Sequence, residues 1–568
     1  MSKNSSPHRT ISVRQMPVSS AKMTQPWDYL ILTAASAQQA AAYEDQIRLR
    51  REAGELSHVR HSLVVADIDD KRIGSAGSTL HCLAQVLRRE VPHDEVGDFE
   101  QASSVLRRLR ILIVHAGGDS RRLPAYSHCG KIFIPVPTAS TSQIPVTLFD
   151  LLIPMFLPFP DSLRGEGQIV VASGDALLQF EVSDLDLAAP GITLLGLLAS
   201  PQEAAHHGVF CAGSEGSLRL YLQKPSVDAQ INAGAVNNAG QSILDLGVMS
   251  MDASTAIRLM RAFLELTPAA CGPTLQWRAG MRDVVMTHGI DLYREICCAL
   301  GTDATLASYS EGVRASGSRL DPAILQELFE ALSGVHVHLQ VLGDCSFLHF
   351  GTTRQLITSG IALRANHQVV PTGTSVLVLN SQVHGQGRVS GHHAWVEGCC
   401  ISAPLVLGGD NVAVGLDVLE PLVLPPGACL DLSAGTDRNG KSIWFARCCD
   451  VDDNYKQTAA AGATFCGKPL FEWMRVVGVS ASDLWPPELS ERDRTLWNAR
   501  VCPAEAEHLS FRRWLWMFDV ERATPEQKRS FLVADRYSSS QIALLLSQSA
   551  FHMRRSMLWS TASSPVKV

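Results

Sequence analysis

Short apolar runs alternate with stretches of helical spacing from residue 27 to about residue 222, and this alternation constrains the fold more than any other feature. The runs typical of buried strands are residues 29–32, 61–67, 110–114, 168–172, 192–198 and 218–222, and helical spacing covers residues 37–51 and 79–89. The alternation predicts an α/β domain with a mostly parallel sheet. Ligands bind at the carboxyl ends of the strands in such a sheet. The residues that follow these runs are therefore the first candidates for a functional site.

The pattern changes after about residue 360. Residues 370–430 are rich in valine and glycine, and apolar residues recur at irregular intervals near six. Examples are Val389, Val396, Ile401, Leu407 and Val412. This spacing predicts a left-handed parallel β-helix whose coils stack on one another. Periodicity alone leaves a β-sandwich open as the alternative.

The chain becomes helical in pattern again from Asn454 and is rich in tryptophan. Examples are Trp473, Trp485, Trp497, Trp514 and Trp516. Tryptophan at this density is far more often part of a core than a binding platform. We therefore predict a disordered tail at 1–26, an α/β domain at 27–355, a β-helix at 356–450 and a helical C-terminal cap at 451–568.

The first 26 residues are basic and rich in serine. They carry Lys3, Arg9, Arg14 and Lys22 and no acidic residue. A disordered tail has this composition, and an organelle transit peptide has it too. We favour the tail and keep the transit peptide as the alternative.

The composition excludes several classes of function. A formal net charge of -7 argues against general nucleic-acid binding, which usually shows a basic face. No apolar run approaches the roughly 20 residues that span a bilayer. The 14 cysteines are scattered without CxxC spacing, which fits neither a zinc site nor a disulfide framework. Reduced thiols predict a cytoplasmic protein.

The stretch HAGGDSRRLPAYSHCGK, residues 115–131, directly follows one of the apolar runs. Gly117 and Gly118 allow the backbone to approach a ligand closely, and Arg122 and Lys131 add positive charge. Bare amides beside cations suit a phosphate chain. The spacing matches neither a Walker A motif nor GxGxxG, which disfavours a P-loop ATPase and a Rossmann oxidoreductase.

A second glycine-rich stretch, RIGSAGSTL at residues 72–80, leads into the helical spacing that starts near residue 79. Gly74 and Gly77 permit unusual backbone angles. Ser78 and Thr79 fall where a helix is predicted to begin, and a helix start favours anions. Either loop taken alone is explained equally well by a structural turn.

Two acids and a lysine are further candidates. Asp175 follows the run 168–172 and is either a Mg²⁺ ligand or a cap for the next segment. Asp245 lies inside an apolar run, where it is either a second metal ligand or a paired structural acid. Lys224 lies just past a strand in QKPS and would reach a phosphate, although an ordinary solvated lysine would look the same. We assign no catalytic role to His206, His207 or His349.

These motifs, taken in order, resemble the GDP-L-fucose pyrophosphorylases (fucose-1-phosphate guanylyltransferases), also found as the front half of bifunctional fucokinase/pyrophosphorylases. The matching segments are KRIGSAGST at 71–79, HAGGDSRRLP at 115–124, GKIF at 130–133, the acid at 175, QKPS at 223–226, DLYRE at 291–295, FLHFGTT at 347–353 and LWNAR at 496–500. The resemblance implies a Rossmann-like nucleotidyltransferase core followed by a β-helix. It also implies a reaction in which GTP and L-fucose 1-phosphate form GDP-L-fucose and pyrophosphate.

The resemblance also implies roles for individual residues. Arg122 and Lys131, with the amides of Gly117 and Gly118, would handle the triphosphate, and Lys224 would contact the sugar phosphate. Asp175 and Asp245 would hold Mg²⁺. The stretch with Gly74, Gly77, Ser78 and Thr79 would form a second wall of the nucleotide site. An acid at Asp119 would repel phosphate unless Arg121 or Arg122 pairs with it or it turns toward the metal.

The expected mechanism needs no general base, because the sugar phosphate is already an anionic nucleophile. It would attack the α-phosphorus in line, so that catalysis depends on positioning and on neutralising charge. The alternatives are a pyrophosphorylase for another sugar or nucleotide, and a non-catalytic nucleotide-sugar-binding scaffold. A sugar kinase is disfavoured, because no further P-loop motif appears before Val568. The β-helix is equally compatible with a homo-oligomer and with a monomer.

Overall fold

The computed structural model describes residues 26–91, 98–138, 144–159, 167–180, 185–187, 189–267, 274–343, 345–367 and 375–561. The tail predicted at 1–26 therefore lies outside the described residues, apart from Pro26. Within the described ranges, none of the helices combines the length and the apolar character needed to cross a bilayer.

The N-terminal part of the chain is a mixed α/β structure. Its strands are β1 (Trp27–Ala34), β2 (Val59–Ala66), β3 (Arg110–His115), β4 (Gln168–Ser173), β5 (Ala176–Phe180), β6 (Ile192–Ala199), β7 (Gly208–Ala212), β8 (Leu218–Gln223), β9 (Ser242–Asp252), β10 (Leu264–Thr267), β11 (Thr274–Trp277), β12 (Val337–Leu342) and β13 (Cys345–His349). Its helices are α1 (Ala37–Glu52), α2 (Gly74–Glu90), α3 (Phe99–Leu106), α4 (Leu148–Phe156), α5 (Pro201–Ala204), α6 (Val227–Asn232), α7 (Ala253–Phe263), α8 (Met281–His288), α9 (Leu306–Ala315), α10 (Pro322–Leu332) and α11 (Thr353–His367). Five of the six predicted runs fall within strands, and the run 61–67 extends one residue beyond β2.

Among the described residues, nine strands form the main sheet, with β12-β6-β9-β4-β3-β1-β2 in order and β7 and β8 beside β9. The neighbouring strands β2, β1, β3 and β4 are parallel, as predicted. Strands buried on both faces read as continuous apolar runs, and Ile111, Leu112, Ile113 and Val114 of β3 are fully buried.

One strand of this sheet corrects the expectation of parallel pairing. Strand β9 is antiparallel to both β4 and β6. It also pairs antiparallel with β7, which itself forms an antiparallel pair with β8. Antiparallel neighbours need only short connections, whereas parallel strands need a crossover of a dozen residues or more. Strands β7 and β8 are joined by the short connection that antiparallel pairing allows.

Three parallel ladders follow. Their strands are β14 (Val376–Leu379), β15 (Gln382–Val383), β16 (Arg388–Ser390), β17 (Ala394–Glu397), β18 (Cys400–Ile401), β19 (Pro404–Leu407), β20 (Asn411–Val414), β21 (Asp417–Val418) and β22 (Leu422–Leu424). Each of the first six strands pairs in parallel with the strand three places later. The five predicted apolar positions are buried. A β-sandwich is built from antiparallel strands, so this pairing argues against that alternative.

The first ladder continues into the C-terminal part of the chain. Strand β20 pairs with β23 (Ala428–Thr436), which pairs antiparallel with β24 (Ser442–Asp450). The later elements are β25 (Thr464–Phe465), β26 (Lys468–Pro469), β27 (Cys502–Glu505), β28 (Arg536–Tyr537), α12 (Leu470–Val477), α13 (Ala481–Leu484), α14 (Pro525–Val533), α15 (Ser539–Leu545) and α16 (Gln548–Thr561). Strands β27 and β28 extend the sheet beyond β24.

Trp473, Trp485, Trp497, Trp514 and Trp516 are buried, as predicted. They belong to one apolar cluster that runs from Leu123 and Leu177 through the ladders to Phe551. This cluster joins residues on both sides of the domain bounds predicted at 355 and 450, and those bounds stay predictions. The C-terminal part is therefore packed directly against the structure that carries the candidate site.

Candidate active site

A cavity of about 220 Å³ lies at the carboxyl ends of β3 and β4. Its lining residues are Arg72, His115, Ala116, Gly117, Gly118, Asp119, Ser120, Arg121, Arg122, Lys131, Ser173, Gly174, Asp175 and Lys456. Five of these carry positive charge and two carry a carboxylate. The cavity therefore combines glycine-rich backbone with an excess of cations, at the strand ends where the sequence predicted a site.

The loop after β3 is held against the end of β1. The hydroxyl of Thr33 accepts hydrogen bonds from the amides of Ala116 and Gly117, both at 3.2 Å. A Cβ at Gly117 would come within 3.1 Å of the carbonyl carbon of Ala34. Gly118 has open space around it but adopts φ +121°, which other residues rarely adopt. The two glycines thus serve different needs, close packing and backbone conformation.

Lys131 is positioned by its glycine neighbour. Gly130 has φ +70°, and a Cβ there would overlap the hydroxyl of Tyr43. That hydroxyl donates to the carbonyl of Ala116 at 2.9 Å. The ammonium of Lys131 then reaches Asp175, with Nζ 2.7 Å from Oδ2. Tyr43 thus braces both ends of the glycine-rich stretch, and Gly130 leaves room for it.

Asp175 is the most constrained acid of the cavity. Besides Lys131, it is contacted by His349, whose Nε2 lies 3.3 Å from Oδ2, and by the hydroxyl of Ser173, 2.8 Å from Oδ1. Burial raises the pKa of Asp175, but the charge of Lys131 and the hydrogen bond from His349 outweigh it and hold that pKa well below its ordinary value. The segment after Asp175 is strand β5, which leaves no helix for it to cap.

The motif FLHFGTT supports the cavity from behind. His349 ends β13, which pairs antiparallel with β5. The amide of Phe350 donates to the carbonyl of Asp175 at 2.8 Å, and the amide of Thr353 donates to the carbonyl of Arg122 at 2.9 Å. This one segment therefore fixes the backbone of two predicted site residues.

The acid in the glycine-rich loop is neutralised, as the sequence required. Asp119 forms ion pairs with Arg72 and with Arg121, whose Nε lies 2.8 Å from Oδ2. Burial raises the pKa of Asp119, but the hydrogen bonds and charges of both arginines bring that pKa below its ordinary value. Arg122 has no carboxylate within 4.0 Å in the described part of the chain. Its charge thus remains available for a bound anion.

The second glycine-rich stretch is not a loop in the structure, which corrects the predicted helix start. Helix α2 begins at Gly74, so that Ser78 and Thr79 lie in its second turn. The amides of Ala76 and Gly77 donate to the carbonyl of Ile290 at 2.9 and 3.4 Å. This carbonyl thus accepts hydrogen bonds from amides of the first helical turn, and a Cβ at Gly74 would overlap it.

The side chains of this stretch are used inside the protein. The hydroxyl of Ser78 donates to Asp67 at 2.6 Å, and the hydroxyl of Thr79 shares a hydrogen bond with Nε2 of His115 at 3.0 Å. Gly74, Gly77, Ser78 and Thr79 are absent from the lining of the cavity, although Thr79 contacts His115, which lines it. Their nucleotide-binding role stays a prediction.

Asp245 is buried beside the cavity rather than on its wall. It accepts hydrogen bonds from the hydroxyl of Tyr221 at 2.9 Å and from the amide of Gly247 at 2.7 Å. Burial raises the pKa of Asp245 to about 6. The α-carbon of Gly247 faces Ser173, since a Cβ there would come within 3.3 Å of the serine Cβ. Asp245 thus has the partners of a structural acid, although it lies one strand from Asp175.

Lys224 is connected to the cavity through two histidines. It directly follows strand β8 with φ +49° and is exposed, and its amide donates to the carbonyl of His207 at 3.1 Å. The rings of His207 and His349 lie 5.8 Å apart, and His349 contacts Asp175. Burial and the charges of His349 and Lys224 lower the pKa of His207 to about 4. A line of basic groups thus runs from Asp175 to Lys224.

The residues of the cavity can be tested against a magnesium ion. In the described residues, His, Cys, Asp and Glu side chains form no group of three or more that would hold a metal. Mg²⁺ needs only one or two carboxylates when substrate phosphates and water complete its shell. Asp175 meets this need, because its side chain is 26% exposed, ionised and on the cavity wall. Asp245 fits less well, because it is buried, does not line the cavity and has a pKa that burial raises to about 6.

His349, Arg72 and Lys456 are among the residues of the site that were not assigned from the sequence. His349 lies in a motif that carried the resemblance, so its position was a usable signal. Arg72 begins the second glycine-rich stretch, where charge beside glycine was again a signal. Lys456 lies far along the chain, after β24, and no motif around it indicates a ligand.

A basic cavity with glycine-rich backbone at the ends of parallel strands is the arrangement in which α/β proteins commonly bind phosphorylated ligands. Residues 103–506 match the model of the fucose pyrophosphorylase domain. Because the match covers more than half of the chain, the protein belongs to the fucose pyrophosphorylase family.

Curated relatives extend the similarity. The chain is 27% identical over 541 residues to the bifunctional fucokinase/GDP-fucose pyrophosphorylase of Arabidopsis thaliana, covering 87% of this chain and 49% of the relative. It is 25% identical over 430 residues to the L-fucokinase/L-fucose-1-P guanylyltransferase of Bacteroides fragilis, covering 73% and 40%. It is 25% identical over 552 residues to the fucose-1-phosphate guanylyltransferase of Mus musculus, covering 87% and 86%. The chain thus spans about half or less of the two bifunctional relatives.

Proposed function

We propose that the protein is a fucose-1-phosphate guanylyltransferase, which joins GTP and L-fucose 1-phosphate to give GDP-L-fucose and pyrophosphate. The observation that carries the proposal is the cavity at β3 and β4, where Arg122, Lys131 and Asp175 meet beside the backbone of Gly117 and Gly118. Membership of the fucose pyrophosphorylase family and the names of the relatives support the choice of substrates.

The chemistry suits a site of this composition. The sugar phosphate is an anionic nucleophile, so its attack on the α-phosphorus requires no proton acceptor. Arg122 and Lys131 would bind the phosphates and neutralise the charge that develops as pyrophosphate leaves. Burial lowers the pKa of His115 to about 4, so this histidine is neutral at pH 7 and adds no charge to the cavity. Catalysis would then come from orientation and electrostatic stabilisation.

Asp175 is the residue that we propose to hold Mg²⁺. The ion, when bound, supplies further neutralisation of the phosphate charge. Lys131 and His349 keep the carboxylate ionised, and both are in place to contact phosphate oxygens beside it. Asp245 is the proposed second ligand, although it is buried beside the cavity rather than on its wall.

Lys224 is proposed to bind the sugar phosphate, and Gly74, Gly77, Ser78 and Thr79 are proposed to support the nucleotide. The basic line through His207 and His349 supports the first role, because it leads from Lys224 to Asp175. The contact between Thr79 and His115 supports the second, because His115 lines the cavity.

We also propose the finer architecture of a Rossmann-like nucleotidyltransferase core followed by a left-handed parallel β-helix. The parallel order of β2, β1, β3 and β4 supports the core. The pairing of each strand from β14 to β19 with the third strand after it supports the β-helix. Free cysteines support the proposed cytoplasmic location, and the proposal leaves open a homo-oligomer.

The test is pyrophosphate release from GTP, ATP, UTP and CTP, each combined with L-fucose 1-phosphate and with other sugar 1-phosphates, with and without Mg²⁺. Release with GTP and L-fucose 1-phosphate, dependent on Mg²⁺, is the expected result. Release with a different pair would retain the mechanism and change the substrate. No release from folded protein with any pair would contradict the proposal and favour a nucleotide-sugar-binding scaffold.

A further inference from the structure

A lysine from the C-terminal part of the chain lines the cavity. Lys456 lies after β24, more than 300 residues beyond the glycine-rich loop, yet it shares the cavity wall with Arg122 and Lys131. It is solvent-exposed, so an anion that enters the cavity can reach it. The C-terminal part therefore contributes a charge to the site as well as packing against it.

The backbone that carries Lys456 is well anchored. The amide of Lys456 donates to the side chain of Asn454 at 3.1 Å, and the carbonyl of the buried Tyr455 accepts from the amide of Trp497 at 3.2 Å. The ring of Trp497 in turn lies 5.7 Å from the guanidinium of Arg121, which lines the cavity. The lysine is thus presented from a packed turn rather than from a loose surface segment.

Lys456 faces like charges. The cations around it are Arg72, Arg121, Arg122 and Lys131. The acids that line the cavity in the described part of the chain, Asp119 and Asp175, are paired with other residues. In the described part of the chain no carboxylate lies within 4.0 Å of its ammonium. Bringing a fifth cation to four others is unfavourable unless an anion compensates.

We propose that Lys456 is a phosphate-binding residue of the active site, which contacts the polyphosphate of the nucleotide or the pyrophosphate product. This inference rests on the proposed function and adds to it a ligand contact from outside the strand ends. The competing explanation is that Lys456 serves packing alone. In that case phosphate binding would not change the surroundings of its ammonium group.

The charge state of Lys456 gives a distinctive signature. Desolvation lowers the pKa of Lys456, and the charges of Arg122, Lys131, Arg72 and Arg121 lower it further, to about 8. A bound phosphate would favour the ammonium form and raise this pKa. Affinity for phosphate should therefore fall as the pH rises above about 8, and an arginine at this position should remove that loss.

The first experiment uses inorganic pyrophosphate as the probe and calorimetric titration of the full chain, without metal. We expect Lys456→Met to weaken binding about tenfold or more, as for loss of a charge-assisted hydrogen bond. Lys456→Arg should stay within about threefold of wild type at pH 7 and bind better than wild type at pH 9. Lys468→Met is the matched control, because Lys468 pairs with Glu521 elsewhere in the C-terminal part. Binding by Lys456→Met equal to wild type, or equal losses in the Met and Arg variants, would overturn the inference.

A second measurement needs no variant. Acetic anhydride labels exposed lysines, and mass spectrometry of peptides measures the labelling of each one. Saturating pyrophosphate should reduce labelling of Lys456 about tenfold and leave Lys468 unchanged. Equal labelling with and without pyrophosphate would overturn the inference.

The outcomes separate this inference from the proposed function. Lysine-dependent pyrophosphate binding without turnover of any sugar phosphate would support Lys456 and contradict the guanylyltransferase. Turnover of GTP and L-fucose 1-phosphate that Lys456→Met leaves unchanged would do the reverse. Absence of pyrophosphate binding by the wild-type protein would contradict both.

Discussion

Two glycine-rich stretches of the chain look alike in sequence and differ in structure. The stretch after β3, with Gly117 and Gly118, lines the cavity and is surrounded by cations. The stretch that starts at Gly74 is the first turn of α2, and its amides donate to the carbonyl of Ile290. In both stretches glycine allows a close approach to the backbone. In the first stretch, Gly117 packs against the end of β1 while Gly118 faces the open cavity. In the second, Gly74 packs against the carbonyl of Ile290.

The contrast shows what a glycine motif specifies. It indicates that something comes close to the backbone, but not whether that partner is a ligand or the protein itself. Charge helps to decide, because Arg121, Arg122 and Lys131 surround the first stretch. The second stretch has the serine and threonine hydroxyls of Ser78 and Thr79, which bond to protein groups.

The largest expected effect comes from removing charge beside the first stretch. Lys131→Met should lower kcat/KM about a thousandfold, because the lysine contacts phosphate and Asp175 in the proposed site. Lys71→Met is the matched control beside the second stretch, where the lysine is exposed, and it should change kcat/KM less than twofold. Steady-state kinetics with thermal unfolding of both variants measures this. Equal effects of the two substitutions would remove the distinction between the stretches.

Substitution of glycine by alanine should change the stability of the protein by different amounts in the two stretches. Gly74→Ala should lower the free energy of unfolding by about 3 kcal/mol, because its Cβ would overlap the carbonyl of Ile290. Gly118→Ala meets no atom within 4 Å and should cost about 1 kcal/mol for its positive φ, while reducing turnover. Urea unfolding and kinetics of each variant provide the check. A stable Gly74→Ala variant with impaired GTP binding would instead support the nucleotide-binding role.

The smallest expected effect is a pH dependence beside the second stretch. Burial raises the pKa of Asp67 from 3.8 to about 6, while Ser78 donates to it. A raised folded-state pKa contributes stability that is present below pH 3.8 and is lost as the pH rises through 6. Between pH 4 and 7, Asp67→Asn should therefore gain stability relative to wild type by about 1 kcal/mol. A difference between the two proteins that stays constant over this range would contradict the assignment.

Much of the fold could be predicted from the sequence because fully buried strands are continuous apolar runs. The run at 110–114 became β3 for that reason, and the apolar spacing near Val396 indicated the parallel ladders. The direction of β9 could not be predicted, because apolar patterning is the same for parallel and antiparallel strands. The helix start at Gly74 could not be predicted either, since it depends on the distant carbonyl of Ile290.

The candidate site was predictable where its residues adjoin strand ends. Asp175 and Lys131 were assigned this way, and the structure brings them to 2.7 Å from each other. Lys224 was assigned by its motif and lies near the cavity without lining it. Lys456 was missed, because its place in the site depends on how the C-terminal part packs and no local pattern records that.

The central claim is that the carboxyl ends of β3 and β4 carry the reaction, and Asp175→Asn tests it most directly. The substitution keeps the size of the side chain and removes the charge that Lys131 and His349 stabilise. We expect Mg²⁺-dependent pyrophosphate release from GTP and L-fucose 1-phosphate to fall at least about a hundredfold, while the thermal unfolding transition is retained. Normal turnover by the folded variant would contradict the claim.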